Sequence, residues 1–163
     1  MPEKETLERA REDAREGKSP STQAGEFIRE EMHHIREGKH GAASPQQAIA
    51  IGLSKARRAG VKLPPPKGRA SASTTEKAER DYRKGQSHSR RKPSAKRSRA
   101  TRSALKKKGG NAASHRALSR QAHNAARRRS STSRHNAAMK ASRTRRSGGV
   151  RRRSHARAAR SRA

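Results

Sequence analysis

Of the 44 Lys and Arg residues in this chain, 28 lie beyond Asp81, and not one Asp or Glu accompanies them. Cations with no carboxylate neighbours have one common chemistry, which is to hold a polyanion. Many stand in clusters: Arg90, Arg91 and Lys92; Lys96, Arg97 and Arg99; Lys106, Lys107 and Lys108; Arg127, Arg128 and Arg129; Arg145 and Arg146; Arg151, Arg152 and Arg153. Guanidinium forks grip phosphate oxygens in pairs, so arginine clusters suit a phosphate backbone. Base stacking is not expected, because Phe27 and Tyr82 are the only aromatic residues. Single-strand and RNA modules stack bases on several aromatic rings. No zinc-finger or recognition-helix pattern appears, so the expected mode is electrostatic, groove-tracking and tolerant of sequence.

Other chemistries fit less well. His33 and Glu37 share a helix face at i, i+4, and His40 follows closely. That set lacks the His-x3-His spacing of common zinc sites, so no metal ligands are assigned. His33 and His34 read as surface groups near a helix C-terminus, where positive charge is favoured. The 13 acids, all at or before Asp81, read as exposed partners of neighbouring cations. There is no cysteine, no Gly-rich phosphate loop and no nucleophile elbow. No enzymatic activity and no cofactor are expected.

The elements that position these residues follow from composition. Up to Gly60 the chain is nearly neutral, with 11 Lys+Arg against 10 Asp+Glu; all but one unit of the formal net charge of +31 resides in the remainder. Hydrophobic residues are 27% of the chain, too few for one core across 163 residues. The expected fold is mostly α: a small helical N-terminal head and a long disordered, Arg/Lys-rich C-terminal tail. A charged helix is expected over 6–16, capped by Thr6, followed by a break at Ser19-Pro20-Ser21. A second is expected over 24–37, with Phe27, Ile28, Met32 and Ile35 on one side. Ser44, Pro45 and Gln47 form a capping signal that opens a third helix. Its stripe of Ala48, Gly52, Ala56 and Ala59, flanked by Ile49 and Leu53, suits close helix packing. A further helix over 76–84 ends at Gly85. Arg-Glu-Gly-Lys at 15–18 and at 36–39 and Arg-Lys-Gly-Gln at 83–86 read as repeated C-terminal stops. In the tail, Asn111, Asn124 and Asn136 each precede two alanines and read as caps of nascent helices.

The segments are therefore 1–23, a charged helix and linker; 24–60, a helical hairpin head; 61–75, a Pro-rich linker; and 76–163, a basic tail. The stretch Ser44-Pro45-Gln46-Gln47-Ala48-Ile49-Ala50-Ile51-Gly52-Leu53-Ser54-Lys55-Ala56-Arg57 resembles a box found in an uncharacterised family of small basic bacterial proteins, a domain of unknown function. A preceding helix that ends as Arg36-Glu37-Gly38 does belongs to the same resemblance, which covers about a third of the chain. Pro45 and Gly52 stand where that family usually has Arg and Ala. The resemblance implies no activity and no substrate.

The functional expectation is non-specific DNA binding by the tail, in a nucleoid-associated or linker-histone-like architectural role, in the cytoplasm. DNA stands ahead of RNA. The alternatives are an RNA-binding or ribosome-associated protein, and an adaptor whose head docks a protein while the tail serves as an electrostatic anchor. The head has few large apolar side chains, so self-association or a protein partner is expected for it. No apolar run is long enough for a membrane span, and the start lacks a secretory h-region.

Overall fold

The computed structural model describes residues 2–66, 70–87, 94–143 and 145. The fold is mostly α, and no strand occurs among these residues. Six α-helices follow in order: α1 (Lys4–Arg15), α2 (Pro20–Arg36), α3 (Pro45–Arg58), α4 (Ala72–Gln86), α5 (Ala95–Lys106) and α6 (His115–Arg127). A 3-10 turn, Gly110–Ala113, separates the last two, and residues 131–143 are also helical. The chain divides after Gln121 into two units. In the first unit, α2 lies at the centre, packed against α1, α3 and the 3-10 turn, and α4 packs against α3.

Serine starts most of these helices. Ser19, Ser44 and Ser71 each accept a backbone N–H three residues on, at 3.4, 3.2 and 3.3 Å. Ser19 with Pro20 thus opens α2, and the expected break at this point is a helix start. At α3 the Gln47 side chain also reaches back, accepting from the Ala43 N–H at 2.8 Å. Thr6 does not cap α1. It lies one turn inside the helix, fully buried, and Glu3 occupies the cap position without a side-chain capping bond. Gly17, Gly38 and Gly60 end α1, α2 and α3 with φ of 70°, 72° and 100°, a conformation that disfavours a Cβ.

Gly85 is not a stop. It lies inside α4, which runs on to Gln86, and a Cβ there would sit 1.7 Å from the Arg57 carbonyl oxygen. The third copy of the Gly-terminated motif is therefore a packing device, letting α4 press on the end of α3. Asp81 anchors the same contact, accepting from Ser54 Oγ and Arg58 Nε, both at 2.6 Å.

Two small apolar clusters fill the first unit. One joins Phe27, Ala24 and Ala56 with Ala10 of α1 and Val61 beyond α3, and Leu7, Leu53 and Leu63 cover it. The other joins Met32, Ile35 and Ala48 with Ala42, Ala112 and Ala113, and Ile28, Ile49 and Leu118 cover it. The hairpin 24–60 is thus closed by residues outside it. The tail supplies two of them, Ala112 and Ala113, at 5% and 0% exposure. Backbone bonds fasten this return, from Gly41 N–H to the Leu105 carbonyl at 3.0 Å and from Ala42 N–H to Gly109 at 3.4 Å. Arg36 Nε donates to the Ala113 carbonyl at 3.0 Å.

Where α2 crosses α3, a Cβ on Gly52 would stand 2.8 Å from Ile28 Cα and 3.0 Å from its nitrogen. Backbone cannot yield as a flexible side chain can. Gly25 of α2, by contrast, faces open space. Gly52→Leu should therefore lower stability by about 1–3 kcal/mol despite its better helix propensity. Gly25→Ala should raise it by about 0.5–1 kcal/mol. Thermal unfolding of both variants separates contact from propensity. Ala113→Asp should cost more than about 2 kcal/mol in urea unfolding, because it places a carboxylate among Met32 and Ile35.

Candidate nucleic-acid interface

The described basic residues beyond Asp81 are carried mainly on helices. On α5, Lys96, Arg99, Arg102 and Lys106 recur every three or four residues and so share one face, with Arg97 beside them. No residue of α5 is buried, and only Leu105 is half-covered. Lys107 and Lys108 follow in the turn, exposed, while the Lys108 backbone lies against Gly41. The turn therefore fixes the root of α5 on the first unit and leaves its cationic face to solvent.

On α6, Leu118 and Gln121 are half-buried, and the Gln121 side chain bonds to Gln46 of α3. Arg116, Arg120, His123 and Arg127 occupy the opposite, exposed face. Arg128 and Arg129 follow the helix, and Arg134, Arg143 and Arg145 are exposed further along. Arg90, Arg91, Lys92, Arg146, Arg151, Arg152 and Arg153 lie outside the described residues. Reading the tail for contiguous clusters missed Arg102, Arg116 and Arg120. A period of 3.6 residues was the signal that finds them.

The Asn-Ala-Ala segments have other roles than capping. Asn111 sits in the 3-10 turn whose alanines enter the core, and Asn124 and Asn136 lie inside helices. Serine caps here as well. Ser114 accepts from Ala117 N–H at 3.3 Å and Ser130 from Ser133 N–H at 3.2 Å. Asparagine and serine both cap well in isolation, and burial of Ala112 and Ala113 decides the register.

A second polar assembly lies in the first unit, between α2, α3 and the loop joining them. Glu30 and Glu31, expected on an exposed face, are 4% and 0% exposed. Helices on two sides of α2 cover the positions between its apolar residues. Lys55 Nζ of α3 lies 2.6 Å from Glu31 Oε2 and 3.1 Å from Glu30 Oε1. Burial pulls the Lys55 pKa down, but the two carboxylates outweigh it and the net shift is upward. His40 Nε2 lies 2.9 Å from Glu31 Oε1, and its Nδ1 lies 3.3 Å from the Gly41 carbonyl. His34 is no surface group: its side chain is 12% exposed, with Nε2 2.8 Å from Glu3 Oε1. Hydrogen bonds from His34 and then Lys39 hold the Glu3 carboxyl below its ordinary pKa. His33 alone matches the surface reading, pairing with Glu37 at 3.1 Å.

Among the described residues no helix is long and apolar enough to cross a membrane. No curated protein and no solved structure matches the chain. Residues 15–67, which hold α2, α3 and the buried Glu30, Glu31 and Lys55, match the model of a family of unknown function (DUF6496).

Proposed function

We propose that this protein binds DNA without sequence preference, through its phosphates, in an architectural role. The observation that carries this reading is the exposed cationic face of α5, Lys96, Arg99, Arg102 and Lys106, in a segment with no carboxylate to neutralise it. The stripe on α6 adds to it. A helix of 12 residues is about 18 Å long, so one face of α5 can follow several phosphates along a groove. The scarcity of aromatic side chains favours duplex phosphates over stacked single-strand bases. Backbone bonds from Gly41 to Leu105 and from Ala42 to Gly109 hold the end of α5 against α2 and its following loop.

The test is the salt dependence of duplex binding by the full chain. With about 10 phosphates engaged, log K against log[salt] should fall with a slope near −9. Scrambling the duplex sequence should leave affinity nearly unchanged. A slope shallower than about −3, or a strong preference for one sequence, would replace this reading with specific readout. Preferential displacement by structured RNA would favour the ribosome-associated alternative.

The quadruple variant Lys96→Gln, Arg99→Gln, Arg102→Gln, Lys106→Gln should fold normally, since none of these side chains is buried. If all four contact phosphates, its salt slope should become shallower by about 3–4. An unchanged slope would remove α5 from the interface.

A further inference from the structure

Two buried carboxylates lie side by side between α2 and α3. Glu30 and Glu31, both shut off from water, share a single ammonium, Lys55. A buried carboxylate without a full set of partners costs several kcal/mol, so a further cationic partner there would be stabilising. Two imidazoles lie where that partner would be. The candidate ligand atoms of Glu31, His34 and His40 all lie within 4.8 Å of one another.

Three details distinguish this group from an ordinary ion-pair network. Both Glu31 oxygens are enclosed and neither accepts a well-aligned hydrogen bond, although Lys55 and His40 stand at 2.6 and 2.9 Å. His40 turns Nδ1 to the Gly41 carbonyl, so its Nε2 is the atom facing Glu31. His34 has one nitrogen on the Glu3 carboxylate and the other 3.9 Å from Glu30 Oε1. An imidazole with one nitrogen on a carbonyl or carboxylate is the arrangement that orients histidine for a metal. The rings of His34 and His40 meet edge to face, with centroids 6.0 Å apart, and do not stack over the gap.

We propose that Glu31, His34 and His40 form a site for one divalent transition-metal ion, with zinc the best match to two imidazoles and a carboxylate. Glu31 and His34 are i, i+3 on α2 and project together, and His40 approaches from the α2–α3 loop. Ligand atoms around a tetrahedral zinc stand roughly 3.4 Å apart, so the widest separation needs to close by up to roughly 1.4 Å and the His40–Glu31 contact to open slightly. The metal takes the Oε1 side of Glu31 while Lys55 keeps Oε2. Three protein ligands leave a fourth position for water or for a carboxylate of Glu3 or Glu30. A shallow cleft lined by Glu3, Glu30, His34 and Lys39 reaches the His34 side of the group. The ion fastens the α2–α3 loop, and this role is independent of what the cationic helices bind.

Zinc chloride titrated into the metal-free full chain by calorimetry should give one saturable site per chain and a higher unfolding temperature. His34→Ala and His40→Ala should each weaken it at least about tenfold. His33→Ala, which removes an exposed histidine outside the group, should leave affinity unchanged. Absence of a saturable site, or equal effects of all three variants, would overturn the proposal. If the alanine variants unfold, His40→Cys decides the matter. The chain has no other cysteine, so a thiolate-to-cobalt absorption band in Co2+-loaded His40→Cys reports coordination at this position alone. A folded His40→Cys protein without that band would also overturn it.

Discussion

The crossing of α2 and α3 at Gly52 is the contact on which the rest of the first unit depends. With no Cβ at this point, α3 rests on the backbone of Ile28. Ala48 and Ala56, one turn to either side, are both fully buried on the same stripe. Close approach brings Lys55 within reach of Glu30 and Glu31, short carboxylates that a wider crossing would leave to water. It also brings the Phe27 ring onto Ala56 and Ile49 onto the Met32 and Ile35 cluster. A bulkier residue at position 52 would separate all of these together.

Such a narrow crossing leaves little apolar volume to bury. Among the described residues Phe27 and Ile35 are the only large hydrophobic side chains that are fully enclosed, and Glu31 and Thr6 are enclosed with them. A buried ion pair adds little net stability over an apolar pair of the same size, because desolvation offsets the attraction. What it adds is geometry. Lys55 and His40 stand within ion-pair distance of Glu31 in one register of α2 against α3, and a slip by one residue would separate them. Asp81 does the same for α4, where Ser54 and Arg58 meet its two oxygens separately.

Much of this was legible in the sequence, and the exceptions have physical causes. The small-residue stripe, the capping signal at Ser44 and the stops at Gly17, Gly38 and Gly60 are local patterns, and they can be read one helix at a time. The burial of Glu30, Glu31, His34 and Asp81 is not local. A carboxylate on a helix face looks solvent-exposed until a second helix covers it, and nothing in α2 announces that both its flanks are occupied. The same reason hid Gly85, which resembles a C-terminal stop in sequence and serves as a contact surface for Arg57 in space. In the tail, alanines after asparagine carry helix propensity, but Ala112 and Ala113 are placed by the gap between Met32 and Ala48, and propensity is silent about that gap.

That gap also explains how a chain so rich in cations orders part of its tail. A segment of like charges cannot collapse on itself, because repulsion and missing apolar surface both oppose it. Here the segment between α5 and α6 has no charge at all over 109–114, and it is this neutral interval that enters the core. The cations lie on either side, on helices whose charged faces stay in solvent. Burying two alanines involves little desolvation and no side-chain entropy, and the backbone bonds to Gly41 and Ala42 satisfy the groups that the turn exposes. Charge segregation along the sequence thus becomes charge segregation in space: the neutral interval is the anchor, and the cationic face of α5 stays in solvent.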